Sequence, residues 1–187
     1  MLVRNGLDTL IFSVHTLDSD KARMISVNEK YELSIVLSNL KKALTIPGLK
    51  VAWNTTITGL NYKELPYIAE KISVQFKKIG QVTFNYVDFS GNALKEENLD
   101  KINITYSLVD LYLHKAMKIL DDHDIDFRVE RVPLCYMVEF IDRSSDYNRV
   151  TNKEHLETIF LDGTSYKTPG ENYVKDECCK CCCLQRT

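Results

Sequence analysis

An α/β fold built on a parallel sheet is what this sequence predicts, and three observations predict it. Short β-type segments alternate with amphipathic helical segments over the first 130 residues. The first of them, Leu10-Ile-Phe-Ser-Val14, is continuously apolar, as a strand buried on both faces of a parallel sheet should be. A helix separates each strand from the next, which calls for parallel pairing through right-handed crossovers.

In chain order, Ser26-x-x-Glu29 has the spacing of a capping box, and the helix expected after it carries Leu33, Val36, Leu37, Leu40 and Leu44 on one face. Pro47-Gly48 stops that helix. The second strand is Lys50-Val-Ala-Trp-Asn-Thr-Thr-Ile57. Gly59-Leu-Asn61 turns the chain into a helix with Leu65, Ile68, Ala69, Ile72 and Phe76 as its buried stripe and Gly80 as its C-cap. Pro66 is late for a first turn that opens at Gly59–Asn61, so this helix is expected to begin near Glu64.

The third strand is Gln81-Val-Thr-Phe-Asn-Tyr-Val87, followed by a loop through Asp88-Phe-Ser-Gly91. A helix bearing Leu108, Val109, Tyr112, Leu113, Ala116 and Leu120 comes next. Asp124-Ile-Asp-Phe-Arg-Val-Glu130 then alternates strictly between charged and apolar, which marks a half-buried strand at a sheet edge. Four strands are too few to close an eight-stranded barrel. Beyond residue 131 the pattern dissolves into Pro133-Leu-Cys135, a polar stretch from Asp142 to Asn148, a short helix near Asn152–Phe160, and a cysteine-rich tail. The expected division is a body of residues 1–130 and an extension of residues 131–187.

With 187 residues, 44% of them hydrophobic and 27% charged, the chain can bury one sizeable core. A net charge of −2 with no basic stripe gives no electrostatic case for nucleic acid. No apolar run is long enough to span a bilayer, and the first residues lack the regions of a signal peptide. A reducing cytoplasm is the expected setting, and there a cysteine cluster favours metal over disulfides.

That cluster is dense, with Cys178, Cys179, Cys181, Cys182 and Cys183 all in the last ten residues. Cys-x-x-Cys occurs twice, as Cys178/Cys181 and Cys179/Cys182, and such a pair can bring two thiolates to one soft metal or iron–sulfur cluster. Four ligands are needed and adjacent side chains diverge, so the expectation is a metal loop of which this chain holds only part. A palmitoylated string is the competing reading, but no flanking apolar or polybasic segment supports it.

Ligands of parallel α/β sheets sit at the carboxyl ends of the strands. There the sequence offers Ser13-Val-His15-Thr16, Asn54-Thr-Thr56 and Asp88-Phe-Ser90. As a set they can cradle a small polar ligand; singly, each is what strand ends and turns ordinarily carry. His15 is open to a role as ligand, base or donor, and a lone histidine is more often structural. Asp121-Asp-His-Asp124 resembles a metal cluster by composition, yet it falls in a helix-to-strand turn at the opposite end of the sheet. His114 and His155 take no role. No glycine-rich phosphate loop follows any strand, which argues against nucleoside triphosphates and dinucleotides.

In that order, Asn5-Gly6-Leu-Asp8-Thr-Leu-Ile-Phe-Ser13-Val-His15, Val51-Ala-Trp-Asn54-Thr-Thr-Ile57 with Leu60-Asn61-Tyr-Lys-Glu-Leu65, and Val82-Thr-Phe-Asn-Tyr-Val-Asp-Phe-Ser-Gly91 resemble the fourth to sixth strands of the radical S-adenosylmethionine (radical SAM) enzymes. Arg131-Val-Pro133-Leu-Cys135 and Lys175-Asp-Glu-Cys-Cys-Lys-Cys-Cys-Cys resemble that family's Pro-x-Cys strand and Cys-x2-Cys-x5-Cys loop. The resemblance implies the C-terminal half of a partial (β/α)6 TIM-like barrel followed by the start of an auxiliary-cluster loop. It implies S-adenosylmethionine and a [4Fe–4S] cluster as cofactors, a small-molecule or peptide substrate, and an electron donor such as flavodoxin or ferredoxin.

By the family's pattern, Ser13 and Asn54 lie near the ribose and carboxylate of S-adenosylmethionine. Thr56 and the backbone of Val87–Phe89 line the ribose or adenine, and Cys179 and Cys182 hold an auxiliary cluster. The family's Cys-x3-Cys-x2-Cys loop is not in this sequence, so the chain by itself is expected not to cleave S-adenosylmethionine. Two other classes compete: a non-catalytic α/β module with a zinc-binding cysteine tail, and a (β/α) barrel fragment of a non-radical enzyme.

Overall fold

The computed structural model describes residues 3–89, 93, 95–152, 157–159 and 165–167. Its chain path divides into two units, residues 1–129 and 130–187.

The first unit is a four-stranded parallel sheet with its strands in sequence order: β1 (Thr9–Ser13), β2 (Lys50–Ile57), β3 (Gln81–Tyr86) and β4 (Phe127–Glu130). Among the described residues it carries the α-helices α1 (Ser19–Ser26), α2 (Leu33–Ala43), α3 (Leu65–Gln75), α4 (Glu96–Ile102) and α5 (Tyr106–Asp121). The register runs Leu10↔Val51, Phe12↔Trp53, Trp53↔Val82 and Thr55↔Phe84. Residues paired in this way share a face of the sheet.

One face is apolar and is where the core lies. Val51, Trp53, Ile57, Val82, Phe84, Phe127 and Val129 are buried on it, along with Leu65, Ile68, Ala69 and Ile72 of α3 and Val109, Leu113, Met117 and Leu120 of α5. Trp53 meets Phe76 at the end of α3, with ring centroids 5.5 Å apart, and Tyr86 stacks on Tyr106 of α5 at 4.3 Å. Lys41 of α2 lies over the Phe76 ring. These contacts put α2, α3 and α5 on one side of the sheet. The other face presents Ile11, Ser13, Ala52, Asn54, Thr56, Gln81, Thr83 and Asn85.

Several details depart from the sequence-based expectation. β1 is not buried on both faces: at the sheet's edge and paired, among the described residues, only with β2, it leaves Ile11 64% exposed. An apolar run reports only that residues can be buried; what packs over each face decides whether they are. Ser26 does not open a helix but closes α1. Val27 takes a left-handed φ of 50°, and Asn28 N–H returns to Arg23 O at 3.2 Å, which terminates α1 there. The cap of α1 is Asp18, whose side chain accepts from Asp20 and Lys21 N–H at 2.9 and 3.0 Å. Those bonds, the Lys21 amide foremost, hold its carboxyl below the ordinary range. α2 starts after Glu32 with no side-chain cap.

Gly80 is not the C-cap of α3, which ends at Phe76; its N–H instead donates to Val51 O at 2.8 Å and leads the chain into β3. The start of α3 at Leu65, after a 3-10 turn over Tyr62–Glu64, agrees with the expectation from Pro66. α5 buries Val109, Leu113, Ala116 and Leu120 of the expected stripe, while Tyr112 is half-buried and Leu108 is exposed. α4 had no clear periodicity and goes unforeseen.

The second unit holds 3-10 turns at Leu134–Tyr136 and Val138–Arg143, the helix α6 (Ser145–Asn152), and an antiparallel pair, β5 (Glu157–Ile159) with β6 (Ser165–Lys167). Helix was expected over Asn152–Phe160. It falls instead within the polar stretch before it, where Ser144 Oγ accepts from Tyr147 N–H at 3.3 Å. Glu157-Thr-Ile159 is strand, since pairing with Ser165–Lys167 outweighs local preference. Among the described residues no helix is long and apolar enough to cross a membrane.

Candidate functional site

The carboxyl ends of β1, β2 and β3 carry the candidate site. Ser13 and Asn54 are register partners, Thr56 pairs with Asn85, and all four lie on the face opposite α2, α3 and α5. The structure therefore brings Ser13, Asn54 and Thr56 together on one surface, and Asp88 follows β3 at the same end of the sheet.

The rim is built by an exchange of hydrogen bonds at the end of β1. Val14 N–H still donates to Asn54 O at 2.9 Å. In a regular parallel ladder the next bond would run from Thr56 N–H to Val14 O. Here His15 Nδ1 accepts the Thr56 N–H at 3.0 Å instead. Val14 O accepts from Thr55 Oγ1 at 2.7 Å and from Trp53 Nε1 at 3.1 Å, and the indole N–H also reaches Thr55 Oγ1 at 2.9 Å. A side chain has replaced a rung, and β1 ends because of it.

Asn61 completes the exchange. Its Nδ2 donates to His15 O at 2.7 Å and Thr56 O at 2.8 Å, while its Oδ1 accepts from Thr58 N–H at 2.8 Å and Thr58 Oγ1 at 3.2 Å. Backbone N–H can only donate and backbone C=O only accept, so this orientation of the carboxamide is fixed by its partners. Buried at 1% exposure and fully bonded, Asn61 ties the ends of β1 and β2 together.

The same logic fixes His15. An Nδ1 that accepts a backbone N–H carries no proton, so the ring is the Nε2–H tautomer. Burial pushes its pKa below the ordinary value, which keeps the ring neutral. Behind it, Thr16 Oγ1 donates to Glu64 Oε2 at 2.6 Å, and Lys21 pairs with the other oxygen of that carboxylate. Asn85 Oδ1 is buried with no hydrogen-bond partner among the described residues, an open demand for a donor on the third strand.

A recess of about 150 Å³ opens beside β1, lined by Ser13, His15, Thr16, Ile25, Tyr31 and Leu33, among others. Burial raises the Tyr31 phenol pKa, so it too stays neutral. Sequence reasoning missed Asn61, Tyr31 and Asn85. Only the short spacing of Asn61 after Thr58 hinted at a side chain folding back on its own turn. The Asp121–Asp124 turn links α5 to β4 at the far end of the sheet, and Asp124 has a φ of 53°.

No group of three or more His, Cys, Asp or Glu side chains able to hold a metal occurs among the described residues. Cys179, Cys182 and His155 lie outside them. Neither a family model, nor a curated protein, nor a solved structure matches the chain.

Proposed function

We propose that this chain is the second half of a radical SAM barrel, in which the rim at Ser13, Asn54 and Thr56 takes S-adenosylmethionine and the Cys179/Cys182 pair contributes to an auxiliary [4Fe–4S] cluster. The observation that carries the reading is the pairing of Ser13 with Asn54 at the carboxyl ends of adjacent strands, in a sequence-ordered parallel sheet with helices packed on one face. A sheet of that kind has the strand order of a barrel wall. Six of the eight residues on its second face, all but Ile11 and Ala52, carry hydrogen-bonding side chains rather than the apolar ones a second helical layer requires.

The donor set suits the hydroxyl-rich part of S-adenosylmethionine. Ser13 and Asn54 share a rung, and the buried Asn85 Oδ1 needs a donor such as a hydroxyl or an amine. Together with a reduced cluster, that cofactor supplies a radical that abstracts hydrogen from the substrate. The part of this chain is to bind and orient. His15 and Asn61 hold the ends of β1 and β2 at fixed spacing, so the rim is set before a ligand arrives. Among the described residues no three His, Cys, Asp or Glu side chains gather to hold a cluster.

The test is titration of the isotope-labelled chain with S-adenosylmethionine. Saturable shifts at Ser13, Asn54 and Thr56 are expected, and their absence removes the assignment. In a protein that carries the remaining barrel strands, Cys179→Ala with Cys182→Ala should lower iron and sulfide by about one cluster. Zinc in place of iron after anaerobic purification would favour the α/β module with a zinc tail.

A further inference from the structure

The recess beside β1 is lined by uncharged groups with a clear division of labour. Ala22, Ile25 and Leu33 form an apolar wall, while Ser13, His15 and Tyr31 bring polar atoms to it. Two further hydroxyls in the lining are already committed. Thr16 Oγ1 donates to Glu64 and accepts Asp18 N–H at 3.1 Å, and Ser26 Oγ donates to Arg23 O at 3.2 Å. That leaves Ser13 Oγ, His15 Nε2–H and Tyr31 Oη with no partner among the described residues.

The protonation states narrow the chemistry further. His15 Nδ1 is occupied by the Thr56 amide, so the ring can neither ligate a metal nor take up a proton there without losing that bond. What it offers outward is a single N–H donor. No lining side chain is cationic, so a carboxylate or phosphate would enter without a counter-charge. A volume of about 150 Å³ matches a cavity that admits one benzene-sized ring.

We infer that this recess is a binding site for an uncharged group of about one ring's size that bears a hydrogen-bond acceptor. In it His15 Nε2–H is the orienting donor, Tyr31 and Ser13 supply hydroxyls, and Ile25 and Leu33 cover the apolar side. The inference rests on the reading of this rim as a ligand site, not on which cofactor lies over Asn54. It assigns to the substrate, or to the part of it that reaches β1, a neutral aromatic or amide character.

The probe is benzamide, with benzoate as its charged counterpart of nearly the same shape. In the 15N-histidine-labelled 187-residue chain, benzamide should shift the His15 Nε2 resonance saturably, with benzoate at least about tenfold weaker. Tyr31→Phe leaves every hydrogen bond of the rim in place and should weaken benzamide severalfold. Benzoate binding as tightly as benzamide, an Nδ1–H tautomer for His15, or no response to benzamide at about 10 mM would overturn the inference. S-adenosylmethionine forms a separate arm. Benzamide binding without S-adenosylmethionine binding leaves this inference standing and removes the cofactor reading; the reverse result removes this inference alone.

Discussion

Asn61→Ala is the most informative perturbation of the rim. The substitution deletes four hydrogen bonds and strands three backbone groups: His15 O, Thr56 O and Thr58 N–H. The Thr58 hydroxyl can turn to another partner. An orphaned buried polar group costs about 1–3 kcal/mol, and the lower end applies where water can reach part of the site. Three such groups at the lower end give about 3 kcal/mol of lost stability.

Urea unfolding followed by fluorescence measures it directly, because Trp53 is the chain's single tryptophan and is buried in the affected unit. The midpoint should fall with an unchanged m-value. Asn61→Asp separates hydrogen bonding from packing. It keeps an acceptor for Thr58 but turns a carboxylate oxygen toward two carbonyls, so it should destabilise at least as much at neutral pH and recover partly in acid. A loss under about 1 kcal/mol for Asn61→Ala would show that water or a rearranged loop satisfies these groups. The account of the rim as a rigid, side-chain-locked strand end would then fail.

Other outcomes follow from single features. Gly59→Ala should cost about 1–3 kcal/mol, since its Cβ would lie 2.7 Å from Lys101 O and 2.8 Å from Asn103 O, both backbone atoms with little room to yield; the same urea midpoint reads it. His15 makes stability depend on pH. Its pKa is lowered by burial, so between 6.5 and that lower value the unfolded chain binds a proton that the folded chain does not. The contribution is fully present above 6.5 and is lost as pH falls through the folded value. His15→Gln should flatten that part of the stability–pH curve, and an unchanged slope would place its origin elsewhere. Ile11→Lys should reduce self-association in light scattering without shifting the unfolding midpoint, because Ile11 is exposed on an edge strand.

Much of the fold was legible in the sequence because it is encoded by short-range patterns. Lys50–Ile57 reads as a strand from its β-branched and aromatic content, and the observed bounds are the same. The Phe127/Val129 alternation marked β4 as a half-buried edge, and the 3.6-residue stripe of α3 and α5 marked the faces that meet in the core. The gathering of Ser13, Asn54 and Thr56 followed from one rule, that parallel crossovers bring all strand ends to the same side.

What only the tertiary structure decided is what depends on partners distant in sequence. Ser26 and Glu29 carried the spacing of a helix start, yet α1 ends at Ser26 because the left-handed Val27 returns the chain to Arg23 O. Leu10–Val14 reads as a strand buried on both faces, yet one face of β1 is left uncovered and Ile11 stands 64% exposed. The tautomer of His15 depends on an amide 41 residues away, and the orientation of Asn61 on a carbonyl 46 residues away. Periodicity reports which face of an element is apolar. It carries no information on which polar atom will stand in for a missing ladder bond, and at this rim that substitution sets the geometry of the site.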